Sequence, residues 1–206
     1  MSGARNPRAA WQAGWWRAAR RSPSPNFGAR PAGSVISLVV LHSISLPPGE
    51  YGGRGVEDLF LNRLDCDAHP YFAGLRGLQV SAHFFIRRDG EAVQFVSCEQ
   101  RAWHAGVSSW RGRENCNDFS IGIELEGLEG LAFEAAQYHA LARLLRALAA
   151  AYPIDEVTGH EHVAPGRKAD PGAGFDWALL AHTLRRRRPR IAPLSIREGP
   201  EAIHYP

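Results

Sequence analysis

Apolar and polar positions alternate along residues 119–126, with Ile121, Ile123 and Leu125 on one side and Gly122, Glu124 and Glu126 on the other. A period of two predicts a strand with one apolar face and one carboxylate-bearing face looking into a polar cleft. Residues 36–41 are instead continuously apolar and rich in β-branched side chains, which predicts a buried strand delivering His42 at its end. Residues 133–151 carry Tyr138, Leu141, Leu145 and Leu148 at spacings of three and four, with alanines between and Tyr152-Pro153 as a stop, which predicts the main helix. A short strand into His160 and a helix over residues 175–184 follow. Residues 83–87 and 91–96 flank Asp89-Gly90, a signal for a two-residue hairpin turn, and a short helix is expected over residues 56–64. A Trp-bearing helix is expected over residues 9–21, ending at Ser22-Pro-Ser-Pro25. Strands and helices mixed around one sheet give an α/β (α+β) fold class.

With 206 residues, the chain is expected to hold one domain with appendages: an N-terminal arm over residues 1–34, a catalytic domain over 35–184 and an arginine-rich tail over 185–206. A net charge of +3 is too mild to argue for a nucleic-acid partner, and the arginine run at 185–190 reads as a solvated tail. Cys66, Cys98 and Cys116 are odd in number and hold no C-x-x-C pair, so reduced thiols are expected rather than a disulfide framework. No segment has the apolar length to span a bilayer, and the N-terminus lacks the apolar stretch of a secretory signal. These features lead us to expect a cytoplasmic protein with no membrane partner.

Chemistry concentrates in Gly159-His-Glu-His-Val-Ala-Pro-Gly-Arg-Lys-Ala-Asp-Pro-Gly172, which carries Lys168, the only lysine among 24 basic residues. Arginine serves wherever a generic cation suffices, so position 168 calls for a compact ammonium. His160, Lys168 and Asp170 in one Pro/Gly-rich loop suit a metal-assisted hydrolase. Of nine histidines, His139, His182 and His204 lack partners at useful spacing and read as structural or surface residues. His42, His160 and Asp170 would supply three ligands and leave a fourth zinc position open. Residue spacing alone leaves His162 as a rival ligand and Asp170 equally readable as a turn residue before Pro171. Glu124 reads as an acid/base or as an exposed strand carboxylate, with Gly122 leaving room beside it. Trp103-His104-Ala-Gly106 reads as a stacking wall for a sugar or peptide, or as loop packing.

Six segments resemble one family: His42-Ser-Ile-Ser-Leu-Pro-Pro-Gly-Glu-Tyr-Gly-Gly53, His69-Pro-Tyr-Phe-Ala-Gly74, Val80-Ser-Ala-His83, Arg101-Ala-Trp-His-Ala-Gly-Val-Ser-Ser109, Cys116-Asn-Asp-Phe-Ser-Ile-Gly-Ile-Glu-Leu-Glu-Gly127 and the 159–172 loop. In this order they are similar to the AmpD-type anhydro-N-acetylmuramyl-L-alanine amidases, within a wider group that includes phage amidase lysozymes and peptidoglycan recognition proteins. The resemblance implies a central mixed β-sheet flanked by helices, with one Zn²⁺ per chain at a rim. It places the zinc ligands on His42, His160 and Asp170, excludes His162, and puts the acid/base and the cationic residue on Glu124 and Lys168. It also implies substrate contacts at Ser43, Tyr71 and Trp103, an anhydro-muropeptide substrate, a monomer, and a place in cytoplasmic cell-wall recycling. A recognition module without catalysis would be expected to lack a zinc ligand, and all three candidates are present. The chain departs from the family at Ser43, where Asn is common, and at Gln79 and Asn115, where arginines that hold substrate carboxylates are expected.

Overall fold

The computed structural model describes residues 10–185; residues 1–9 and 186–206, including nearly all of the arginine-rich tail, lie outside the described residues. Among the described residues, twelve short strands and four α-helices follow in chain order. They are β1 (Trp11–Gln12), β2 (Trp15–Trp16), β3 (Arg20–Arg21), β4 (Phe27–Gly28), β5 (Leu38–Ile44), α1 (Gly55–Phe60), β6 (Phe84–Ile86), β7 (Ala92–Gln94), β8 (Arg101–Ala102), β9 (Ser109–Trp110), β10 (Arg113–Glu114), β11 (Ser120–Glu126), α2 (Ala135–Ala151), β12 (Glu156–Gly159), α3 (His160–Val163) and α4 (Trp177–Arg185).

Six strands form the central mixed sheet in the order β12-β5-β11-β6-β7-β3. β12, β5, β11 and β6 run parallel, β7 returns antiparallel to β6, and β3 closes the edge parallel to β7. One face packs on α2 and α4, where Val39, Leu41, Ile121, Ile123 and Leu125 meet Leu141, Leu145, Leu148 and Leu180. The opposite face divides between a cluster under α1 and a smaller one around Leu38, Val40 and Phe119. Strand β5 is thus buried on both sides, as its unbroken apolar run requires, and β11 sends its alternate residues to opposite faces. Helix α2 starts later than its apolar pattern suggests. The Glu134 N–H donates to Gln137 Oε1 at 2.9 Å, while Gln137 Nε2 donates to the carbonyls of Ile86 and Glu126. The helix is thereby tied to two sheet strands.

Among the described residues 10–21, the N-terminal helix expected over residues 9–21 does not form. In its place β1 and β2 form an antiparallel hairpin, turned by Ala13 and Gly14 at φ of 49° and 74°. Two left-handed residues match the twist of a tight hairpin, and a side chain on Gly14 would meet Ser97 Oγ at 2.2 Å. Antiparallel pairing puts the Trp11 and Trp16 rings 6.4 Å apart, both edge-on to Phe84. Their burial against the sheet outweighs the weak helical preference of the neighbouring alanines. Arg30 is also part of the packing, its guanidinium donating to the carbonyls of Cys98, Asn117, Asp118 and Ser120. Residues 10–34 therefore pack with the sheet rather than as a detached arm.

The β6–β7 hairpin has a three-residue loop, not the expected two. The Gly90 N–H donates to the Arg87 carbonyl at 2.9 Å, and Arg87 N–H pairs with the Glu91 carbonyl. Gly90 sits at φ 88°, where an added Cβ would lie 2.9 Å from the Ala136 carbonyl. Contact with the start of α2 demands glycine there.

Glu57 of α1 joins the edge of the sheet to the hairpin, pairing with Arg20 at 2.7 Å and Arg87 at 2.6 Å. The hydrogen bond from Arg20, helped by Arg87 and opposed by burial, pulls its carboxyl down from 4.5 to about 2. A carboxyl depressed in the folded state stabilises above its unfolded pKa, and that stability is lost as pH falls through the folded value. Glu57→Gln is expected to cost about 1–3 kcal/mol at pH 7. The variant should also lose less further stability than the parent between pH 4.5 and about 2. Urea midpoints across that range check both expectations.

Candidate active site

Parallel pairing of β5, β11 and β12 brings the site together. His42 on β5 lies directly beside Glu124 on β11, and Gly159 at the end of β12 lies beside Leu41. His160 follows at the first position of α3, so three strand ends present their chemistry at one rim of the sheet. The loop after α3 folds back, with the Glu161 N–H on the Asp170 carbonyl at 2.9 Å, and inserts the Asp170 side chain between the two imidazoles.

His42 Nδ1 lies 2.9 Å from His160 Nδ1 and 3.1 Å from Asp170 Oδ2, and His160 Nδ1 lies 3.0 Å from the same oxygen. All three residues are buried and form a group that could hold a metal ion. Burial pushes His42 down to about 4, outweighing the hydrogen bond to Asp170, so its ring is neutral at pH 7. Burial would raise the Asp170 carboxyl, yet the two imidazoles outweigh it and hold Asp170 below the usual carboxylate range. His160 Nε2 faces the Ala105 carbonyl at 3.1 Å, an acceptor that keeps the proton on Nε2 and leaves Nδ1 bare. Two imidazoles and one carboxylate, aimed at a common point, suit a divalent cation. His162 does not join them: its Nδ1 faces Thr158 Oγ1 at 3.2 Å and receives the Gly159 N–H at 3.1 Å.

Glu124 and Lys168 line the same cavity of about 330 Å³, together with Ser43, Tyr71 and Trp103. Glu124 Oε2 is buried without a hydrogen-bond partner among the described residues, as is Ser43 Oγ. Burial, then the charge of Asp170, raises the Glu124 carboxyl well above 4.5, and Lys168 opposes the shift. Glu126, on the same strand face, is spent on structure. It accepts the N–H groups of Gly52 at 2.6 Å and Arg88 at 3.0 Å. Tyr71 stands half-exposed on a 3-10 helix spanning Pro70–Leu75, whose start is capped by His69 Nδ1 accepting the Tyr71 N–H. Gln79 and Asn115 are exposed and lie off the residues lining the cavity.

His104, expected only as part of a stacking wall or as loop packing, lines the cavity and also meets a candidate metal ligand. His104 Nδ1 lies 3.0 Å from His42 Nε2. Its ring fills the room left by Gly122, where an added Cβ would sit 2.4 Å from it. The glycine on the carboxylate-bearing face was the signal; what fills the space was not legible.

Fold and site together define an α+β amide hydrolase. The model of the N-acetylmuramoyl-L-alanine amidase family matches residues 32–173, and the chain belongs to this family. It is 58% identical over 167 residues to the 1,6-anhydro-N-acetylmuramyl-L-alanine amidase AmpD of Citrobacter freundii, covering 80% of this chain and 89% of the relative. Among solved structures, a selenomethionine AmpD derivative superposes with a TM-score of 0.82 at 55% identity, covering 84% of this chain and 98% of the other. The complex of Escherichia coli AmiD with the substrate anhydro-N-acetylmuramic acid-L-Ala-D-gamma-Glu-L-Lys gives 0.53 at 31% identity, over 75% of this chain and 60% of that one. No helix among the described residues is long and apolar enough to cross a membrane.

Proposed function

We propose that this chain hydrolyses the amide between the lactyl group of 1,6-anhydro-N-acetylmuramic acid and L-alanine of a stem peptide, as a zinc-dependent monomer in cytoplasmic cell-wall recycling. The observation that carries this reading is the convergence of His42, His160 and Asp170 beside a buried Glu124 whose Oε2 has no hydrogen-bond partner among the described residues. The anhydro-muropeptide bound in the AmiD complex supports the ligand class, and three free cysteines suit a reducing compartment.

His42, His160 and Asp170 would hold one Zn²⁺, which when bound would supply Lewis acidity of the kind that lowers the pKa of water to about 7 and polarises a carbonyl. Glu124, raised by burial, accepts the proton of the attacking water at its carboxylate and passes it to the departing amide nitrogen. Its Oε2, with no hydrogen-bond partner among the described residues, is free for those two transfers. Lys168 turns a compact positive charge toward the carbonyl oxygen as that oxygen becomes anionic. Tyr71 and Trp103 offer aromatic surface to the substrate, and Ser43 Oγ offers a hydrogen bond from the strand residue next to His42.

Mass spectrometry of purified anhydro-muramyl tripeptide is the direct test. Free tripeptide should be released by the protein, cease with a chelator and return on adding zinc; an intact substrate under zinc-replete conditions would overturn the reading. Lys168→Arg is expected to lower kcat by roughly 10²-fold, because a planar guanidinium spreads its charge. Lys168→Met should do at least as much damage, with zinc content unchanged in both. Near-normal turnover in the arginine variant would leave Lys168 a structural cation.

A further inference from the structure

We propose that the loop carrying His104 and Ala105, clipped by Asn117, positions both histidines of the metal centre by fixing their tautomers; this rests on the reading of His42 and His160 as zinc ligands. His104 and Asn117 act as positioning residues through hydrogen bonds rather than by touching the metal or the substrate amide.

The direction of the chain is set from its far end. Ser120 Oγ donates to the Cys116 carbonyl at 2.6 Å, and a carbonyl can only accept. The hydroxyl has one proton, so it offers only lone pairs to His104 Nε2 at 3.2 Å, and that nitrogen must donate. His104 Nδ1 is then the bare nitrogen and accepts from His42 Nε2 at 3.0 Å. His42 in turn carries its proton on Nε2, which leaves Nδ1 bare and aimed at Asp170 and His160. A backbone carbonyl thus dictates, through two side chains, which nitrogen of His42 meets the cation.

The next residue does the same for the second ligand. The Ala105 carbonyl can only accept, so at 3.1 Å it takes the proton of His160 Nε2; the Arg167 guanidinium lies farther from that nitrogen, at 3.5 Å, and donates instead to the same carbonyl. Both orienting groups sit on adjacent residues, and Asn117 Oδ1 holds both, accepting the N–H of His104 at 3.1 Å and of Ala105 at 2.9 Å. Arg167 also donates to the Ala105 carbonyl, giving the loop a second anchor. Gly122 completes the arrangement, since any side chain there would displace the His104 ring. Groups that orient imidazole ligands typically account for about 10–100-fold in metal affinity.

Zinc affinity of the full chain, measured by competition with a chromophoric chelator, separates positioning from packing. His104→Phe keeps the bulk and removes the acceptor, and should weaken zinc binding by about 10–100-fold. His104→Asn is smaller, but its Oδ1 replaces Nδ1 as acceptor and should recover most of that loss. A packing role predicts the reverse order, and a phenylalanine variant that binds zinc as tightly as the parent would overturn the proposal. Asn117 gives a check that leaves the ring untouched. Asn117→Asp retains the accepting oxygen and should stay near the parent, while Asn117→Leu should weaken zinc binding; equal affinities in the two variants would remove the clip. In the zinc-loaded parent, imidazole ¹⁵N shifts should show His42 and His160 protonated at Nε2, and protonation at Nδ1 of either would overturn the proposal. A parent chain that binds no zinc would sink the metal-centre reading along with it, whereas zinc binding indifferent to residue 104 would sink the positioning role alone.

Discussion

His160→Ala is expected to lose bound zinc and amide hydrolysis together, whereas His162→Ala should keep both. The two imidazoles are separated by one residue, yet the turn of α3 sends them to different surroundings. His160 Nδ1 lies 3.0 Å from Asp170 Oδ2 and 2.9 Å from His42 Nδ1, inside the group that could hold a cation. Removing it leaves two protein ligands, below the three that a catalytic zinc site uses. His162 accepts the Gly159 N–H, so its loss should cost about 1 kcal/mol of stability rather than metal. Metal analysis of the purified variants, beside release of free tripeptide, is the check. A full equivalent of zinc in His160→Ala would remove that residue from the centre.

The second large effect is expected at Glu124. Glu124→Gln should cut kcat by about 10²–10⁴-fold while zinc content holds, the usual contribution of a general acid–base group. The amide matches the carboxylate in shape but cannot take a proton from water and return it to the leaving nitrogen. Glu126→Gln is the control because it leaves the same strand face. Its carboxylate accepts the N–H groups of Gly52 and Arg88, so its change should appear as about 1–3 kcal/mol in a urea midpoint, with a smaller effect on turnover. Equal, small effects of the two substitutions on kcat would refute the distinction.

Where one element's own periodicity carried the information, local reading and structure agree. The apolar side of β11, the unbroken apolar run of β5 and the three-to-four spacing of α2 are buried as read, whereas the carboxylate-bearing side of β11 is buried too and only Glu124 of its two carboxylates lines the cavity. The misread segments were those whose conformation depends on a distant surface. Residues 9–21 hold alanines and tryptophans that suit a helix in isolation, but Phe84 and Tyr152 offer the Trp11 ring a place that a hairpin reaches. Asp89-Gly90 has the composition of a two-residue turn, but the strands pair through Arg87 and Glu91, which leaves three residues in the loop and Gly90 against Ala136.

The same division runs through the site. Residue types, motif order and the solitary Lys168 were enough to nominate the family and its chemistry, because proton transfer, charge and metal affinity reside in side-chain identity. Which residues meet was decided by parallel strand register: His42 and His160, 118 residues apart, come within 2.9 Å only because β5 and β12 pair side by side. Whether a carboxylate is free or occupied was decided there too, and it separates Glu124 from Glu126. The placement of His104 was likewise a tertiary outcome. Hydrogen-bond direction depends on which acceptor a fold carries to a given nitrogen, and no local pattern encodes a carbonyl on another segment.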